Sequence, residues 1–152
     1  MFFEVRTKRT TVEGNAYKTV KELWLFDVES FTEAEAKVIL FMNKQFGKDQ
    51  FQILKIQPSK IAQIGKSAKS NPEEDPFYKV KVDFLFLNDK GRIRREHQFS
   101  LIRAESPESA VEESGKMCDE TLNDYEIMKV EKTKFSGVIL IEQKQVKKES
   151  KK

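Results

Sequence analysis

Two stretches of the chain alternate apolar and polar side chains with a period of two, and each runs through a turn into a second apolar segment. Phe3, Val5 and Thr7 alternate with Phe2, Glu4, Arg6 and Lys8; Glu13-Gly14-Asn15 supplies turn chemistry, and apolar positions resume over 20–28. Further on, Tyr78, Val80, Val82, Phe84 and Phe86 alternate with Lys79, Lys81, Asp83 and Leu85 before Asn88-Asp89-Lys90-Gly91 turns the chain into 93–104. Two β-hairpins are predicted, each followed by a helix. Ser30-Phe31-Thr32-Glu33 is a capping box, in which the Ser30 hydroxyl accepts from the Glu33 amide and the Glu33 carboxylate reaches back to the Ser30 amide. At Ser106-Pro107 the serine caps, and proline takes the first helical position, where its missing N–H costs little. Ala34, Val38, Phe41 and Met42 then mark one helix face, and Ala110, Ser114, Met117 and Cys118 mark the other at the same spacing. Cys118 thereby reads as a small core residue.

The similarity goes beyond pattern. Residues 51–61, Phe-Gln-Ile-Leu-Lys-Ile-Gln-Pro-Ser-Lys-Ile, return at 125–135 as Tyr-Glu-Ile-Met-Lys-Val-Glu-Lys-Thr-Lys-Phe, an offset of 74. Residues 2–6 match 77–81 at an offset of 75, and Val28-Glu29-Ser30 with Ala34 matches Ala104-Glu105-Ser106 with Ala110 at 76. Offsets that drift by one or two residues while the order of elements is kept are what short loop insertions leave in a tandem duplication. The expected fold is therefore α+β: two tandem β-β-α-β pseudo-repeats, with mixed, mainly antiparallel sheets and two helices, forming one compact body. The repeats are placed at 1–56 and 77–141, with a linker over 57–76 and a disordered lysine-rich tail over 142–152. A right-handed crossover through each helix gives strand order 2-1-3, with strand three parallel to strand two. Trp24 and Phe26 alternate with Leu23 and Leu25, so both faces of the second strand are apolar and the face away from the helix needs a cover. The other repeat, stacked or joined edge to edge, or a second chain would supply it.

Composition narrows the functional classes. With 152 residues, 38% of them hydrophobic, the chain has enough apolar material for one core, and no apolar run approaches a membrane span. The N-terminal residues start a strand pattern rather than a signal-peptide layout, so a cytoplasmic setting without membrane attachment is expected. Residues 1–75 carry 12 basic and 11 acidic side chains, residues 76–141 carry 11 and 12, and residues 142–152 carry 5 and 2. The formal charge of +3 thus resides in the tail, and the body lacks the overall basic character of a dedicated duplex binder. One cysteine, Cys118, and one histidine, His97, allow neither an internal disulfide nor a Cys/His zinc site. No cofactor and no small-molecule substrate are expected.

Candidate chemistry is sparse. Gly65-Lys66-Ser67 resembles the end of a phosphate loop, but Lys60 stands where the loop needs its first glycine, and Pro72 follows soon after. The segment reads as a mobile loop, and Glu73-Glu74-Asp75 as a solvated acidic turn. His97, on the parity of Phe99 and Leu101, reads as a packed or edge residue rather than a general base, so no enzyme is expected. What stands out is a set of cations around the second hairpin: Lys79 and Lys81 on its first strand, then Lys90, Arg92, Arg94 and Arg95, with Arg103 beyond. Single-strand binders combine such a ridge with aromatic platforms, and Trp24, aligned with Ser100 in the second repeat, is the platform candidate. The same tryptophan also suits a plug between the two halves, and exposed arginines on a hairpin also serve solubility and edge protection.

Residues 77–82 (Phe-Tyr-Lys-Val-Lys-Val), 27–36 (Asp-Val-Glu-Ser-Phe-Thr-Glu-Ala-Glu-Ala) and 124–127 (Asp-Tyr-Glu-Ile) resemble a domain-of-unknown-function family of about this length found in Bacteroidota and their phages. The resemblance spans roughly 1–135 and implies a cytoplasmic setting in a bacterial cell or phage-infected host; it carries no catalytic residue. The lysine-rich tail and the linker depart from it. Two functional expectations follow. The preferred one is a non-catalytic interaction module that holds a protein partner or a second copy of itself through an exposed sheet face or edge. The alternative is a single-stranded nucleic-acid binder using Lys79, Lys81, Arg92, Arg94, Arg95 and Trp24, helped by the tail.

Overall fold

The computed structural model describes residues 1–48 and 50–140, with backbone alone at Leu140; the tail read over 142–152 lies outside the described residues. The elements are β1 (Phe2–Glu13), β2 (Ala16–Asp27), α1 (Phe31–Phe46), β3 (Phe51–Pro58), β4 (Ile61–Lys66), β5 (Phe77–Leu87), β6 (Ile93–Arg103), α2 (Pro107–Asp119), β7 (Asp124–Lys132) and β8 (Phe135–Leu140). They form two compact units, one from Met1–Ser59 with residues 135–140, the other from Lys60–Lys134. Each unit is one four-stranded sheet, ordered β3-β1-β2-β8 in the first and β4-β6-β5-β7 in the second, with one helix. The α+β class and the 2-1-3 order within each repeat are as the sequence indicates. Both serine caps are built as expected: the Ser30 Oγ accepts from the Glu33 amide at 3.2 Å, and the Ser106 Oγ accepts from the Ser109 amide at 3.2 Å with Pro107 opening the helix. The Glu33 carboxylate accepts from the Glu29 amide at 3.4 Å, one residue before the Ser30 amide expected.

The stretch read as a linker is where the structure differs. It contains β4, a fourth strand, and β8 is that strand's equivalent at the same offset of 74. β4 pairs parallel with β6 and β8 pairs parallel with β2. The registers correspond, starting at Ile61↔Phe99 and Phe135↔Leu23 and slipping by one residue after that first pair. The repeat is thus ββαββ, and its last strand is given to the other unit. Geometry makes the exchange obligatory. The free slot beside β2 lies three strand spacings from β3, about 14 Å, and a strand filling it must run in the direction of β3, so the chain would first have to return along the whole sheet. Only Ser59 and Lys60 separate β3 from β4, and two residues reach about 7 Å. A repeat therefore cannot complete its own sheet. The linker reading failed because six residues with a glycine inside, Ile-Ala-Gln-Ile-Gly-Lys, carry too short a period to separate an edge strand from a loop.

In the first unit Phe3, Val5, Trp24, Phe26 and Val28 pack beneath Ala34, Val38 and Met42 of α1. In the second, Tyr78, Val80, Val82, Ile102 and Ala104 pack beneath Ala110 and Cys118 of α2. Leu25 and Leu101, repeat equivalents on the sheet faces turned away from the helices, are fully buried as well. Trp24 is not an exposed platform: it is 8% exposed, inside the core of its own unit. Its Nε1 donates to the buried Thr7 Oγ1 at 3.0 Å, and its ring meets Phe41 edge-on at 5.0 Å. The large indole fits because Gly137 of β8 stands opposite it; in the second unit the matching pair is Ser100 with Gln63.

Candidate functional site

In a sheet, directly opposed residues share a face, as do residues two apart on a strand. That rule distributes the cations of the second hairpin over two faces. Lys79, Lys81 and Arg95 lie on the face away from α2, opposite Leu101, Phe99 and Leu85 respectively, whereas Arg94 lies opposite Phe86 on the other face. Lys79 is taken up over the Phe99 ring at 4.6 Å, and Arg94 is paired with Glu96 at 2.9 Å with its guanidinium 5.5 Å from the Phe86 ring. Arg92 sits in the hairpin loop, where the Asn88 side-chain oxygen accepts from the Lys90 and Arg92 amides at 2.9 Å each. Arg103 donates to the Pro72 carbonyl and covers the Phe77 ring. The structure does not assemble the predicted ridge, and it removes Trp24 from it.

Arg95 belongs to a different arrangement. The Asp83 carboxylate, 3% exposed, accepts from the His97 Nδ1 at 2.5 Å and from the Arg95 guanidinium at 3.3 Å, and Arg95 also reaches Glu126 at 3.4 Å. The hydrogen bond from His97 outweighs burial and, with Arg95, holds the Asp83 carboxyl below the ordinary carboxylate value. An ionised carboxylate only accepts, so the Nδ1 carries the proton in this pair. His97 is oriented by its neighbour, and the Arg95 guanidinium is shared by the two carboxylates of the group.

The equivalent place in the first unit sets like charges opposite one another. Lys8 stands directly opposite Lys21 across β1 and β2, and Arg6 directly opposite Lys55 across β1 and β3. These four cations share the face away from α1 in two adjacent rows. None of them has a carboxylate within 4.0 Å among the described residues, and the carboxylates on these strands are used elsewhere: Glu22 by Arg9 on the helix side at 2.7 Å, Glu4 by the Ser59 hydroxyl at 2.8 Å. Through the repeat, Lys8 and Lys21 correspond to Asp83 and His97. One copy holds an attractive cross-strand pair where the other holds a repulsive one. Along the same face the rows continue to Thr10↔Thr19 and Val12↔Tyr17, and Tyr17 is 82% exposed. The sequence carried a signal for this cluster, namely Arg6 and Lys8 on the polar parity of the first strand, but Lys21 and Lys55 join them only once register is known.

A family profile, that of the domain of unknown function DUF4494, matches residues 1–141. The chain belongs to the DUF4494 family. The match covers both repeats and both exchanged strands, so the ββαββ duplication lies within the DUF4494 domain. No curated protein matches the chain. Among the described residues, no helix is long and apolar enough to cross a membrane, and no group of three or more His, Cys, Asp or Glu residues could hold a metal ion.

Proposed function

We propose that this DUF4494 protein acts by binding and not by catalysis, as an interaction module whose partner presents dense negative charge to the face of the first sheet opposite α1. The observation that supports this reading is the pair of like-charge contacts, Lys8↔Lys21 and Arg6↔Lys55. Like charges placed directly opposite each other destabilise a sheet by up to about 1 kcal/mol per pair, and a bound polyanion turns that repulsion into attraction. Heparin, a sulfated polymer without bases, tests the site. Its binding to the full chain weakens as salt rises, and Lys8→Glu and Lys55→Glu weaken it further at every salt concentration. Equal heparin binding by wild type and both variants overturns the proposal.

A second reading is a protein partner, a second copy included, at the end of the second hairpin. Leu87 and Ile93 favour it: they face each other across the hairpin and are 75% and 66% exposed. Sedimentation velocity over a range of concentrations tests the self-association form of this reading, which a Leu87→Ser variant would weaken and a strict monomer would exclude. For both readings we propose a cytoplasmic setting, in a bacterial cell or phage-infected host.

A further inference from the structure

We infer that the polyanion is single-stranded nucleic acid, with its phosphates on Arg6, Lys8, Lys21 and Lys55 and a base stacked on Tyr17. This rests on the polyanion reading and adds the chemistry that distinguishes one anionic polymer from another. Tyr17 lies on the strand and parity of Lys21, four residues away, which is about 13 Å along β2. Its ring is directly opposite Val12 and otherwise open, at 82% exposed, so one π-face is available. Between Tyr17 and the cations lies the exposed Thr10↔Thr19 row, whose hydroxyls both donate and accept hydrogen bonds.

The order along the face is aromatic, hydroxyl, cation, cation. A strand with unstacked bases uses all of it: phosphates take the cations, polar base edges meet the threonines, and a base lies on the ring. The other sources of negative charge use less. A duplex keeps its bases stacked and offers grooves shaped for a helix or narrow ribbon, so it would leave Tyr17 without a base. An acidic protein surface or a sulfated polysaccharide would engage the cations and leave the tyrosine indifferent. The two rows of cations, one residue pair apart on the same face, are about 7 Å from each other along the strands, which suits charge repeated along a polymer.

The test is fluorescence anisotropy of a labelled oligothymidine with the full chain, run beside a duplex of the same length and heparin. Stacking of a base on an aromatic side chain is worth about 1 to 3 kcal/mol, so Tyr17→Ser should weaken oligothymidine binding about fivefold to about a hundredfold. Tyr17→Phe should restore it, and neither substitution should change heparin binding. Lys8→Glu should weaken both ligands. Because Tyr17 is largely exposed and outside both cores, its variants keep the fold, which circular dichroism confirms before each titration. Oligothymidine binding that is unchanged in Tyr17→Ser, or weaker than duplex binding, overturns the inference. Heparin binding without oligothymidine binding overturns it while leaving the polyanion reading standing, and failure of both ligands removes the two together.

Discussion

Replacing Gly137 by alanine places a methyl group against the only tryptophan of the chain, and the outcome can be worked out from its neighbours. A Cβ at position 137 would stand 3.0 Å from Trp24 Cζ3 and 3.2 Å from Cε3, closer than ordinary van der Waals contact. The indole has little freedom to retreat, being 8% exposed, hydrogen-bonded to Thr7 and packed edge-on against Phe41. Alanine also brings a gain, since a strand glycine gives up more chain entropy on folding, by about 0.5 to 1 kcal/mol. Overpacking a buried site costs about 1 to 3 kcal/mol, so the net effect is a loss of about 1 kcal/mol. If the ring moved away instead, the Thr7 hydroxyl would lose its partner at a cost of about 1 to 3 kcal/mol, so relaxation brings no escape. Urea unfolding followed by Trp24 fluorescence measures the change directly. A double-mutant cycle with Trp24→Leu, followed by circular dichroism, should show Gly137→Ala becoming neutral or stabilising once the indole is gone. A Gly137→Ala protein as stable as wild type would refute the close packing of β8 on β2.

The exchanged strand predicts an asymmetric response to truncation: a chain ending at Lys134 lacks β8, so the first unit loses its edge beside β2 while Lys60–Lys134, a continuous segment, keeps every strand of its own sheet. Fluorescence should report an exposed Trp24, while amide exchange of the second unit stays protected. Asp83→Asn should remove part of the acid limb of stability. The native carboxyl titrates below its ordinary value, so its contribution is complete above that value and is lost as pH falls through the lowered one. Urea midpoints of the variant should therefore depend less on pH between neutrality and about pH 3 than those of wild type. Lys8→Glu should raise stability by about 0.5 kcal/mol, by converting the Lys8↔Lys21 contact into an attractive pair, and in the same protein weaken heparin binding. Ser30→Ala should cost about 1 kcal/mol in thermal or urea unfolding through loss of the α1 cap.

Elements set by local chemistry were legible before the structure. Both hairpins, both helices and both serine caps follow from period, turn residues and capping boxes, all of which act within a few positions of the chain. The repeat motif even carried a sheet irregularity. Ile53-Leu54-Lys55-Ile56 and Ile127-Met128-Lys129-Val130 place two core residues three apart, and the register of β3 against β1 and of β7 against β5 slips at these points, leaving Leu54 and Met128 as extra residues. What was not legible depends on long-range pairing. β4 and β8 are too short to announce themselves and find partners in the other repeat, so the linker reading failed there. Trp24 was misplaced for the same reason, since the space it fills is created by Gly137, more than a hundred residues away in sequence. The cation ridge failed at a simpler step, because neighbours in sequence alternate between faces. The four cations that do converge come from three strands, and only register brings Lys21 and Lys55 to Arg6 and Lys8.

The binding surface of this DUF4494 protein is mapped most directly by nuclear magnetic resonance of the labelled full chain during titration with oligothymidine. Shifts concentrated at Tyr17, Arg6, Lys8, Lys21 and Lys55 are the predicted result. Shifts gathered instead around Lys79, Lys81, Arg92, Arg94 and Arg95, or a spectrum that does not change, would contradict it.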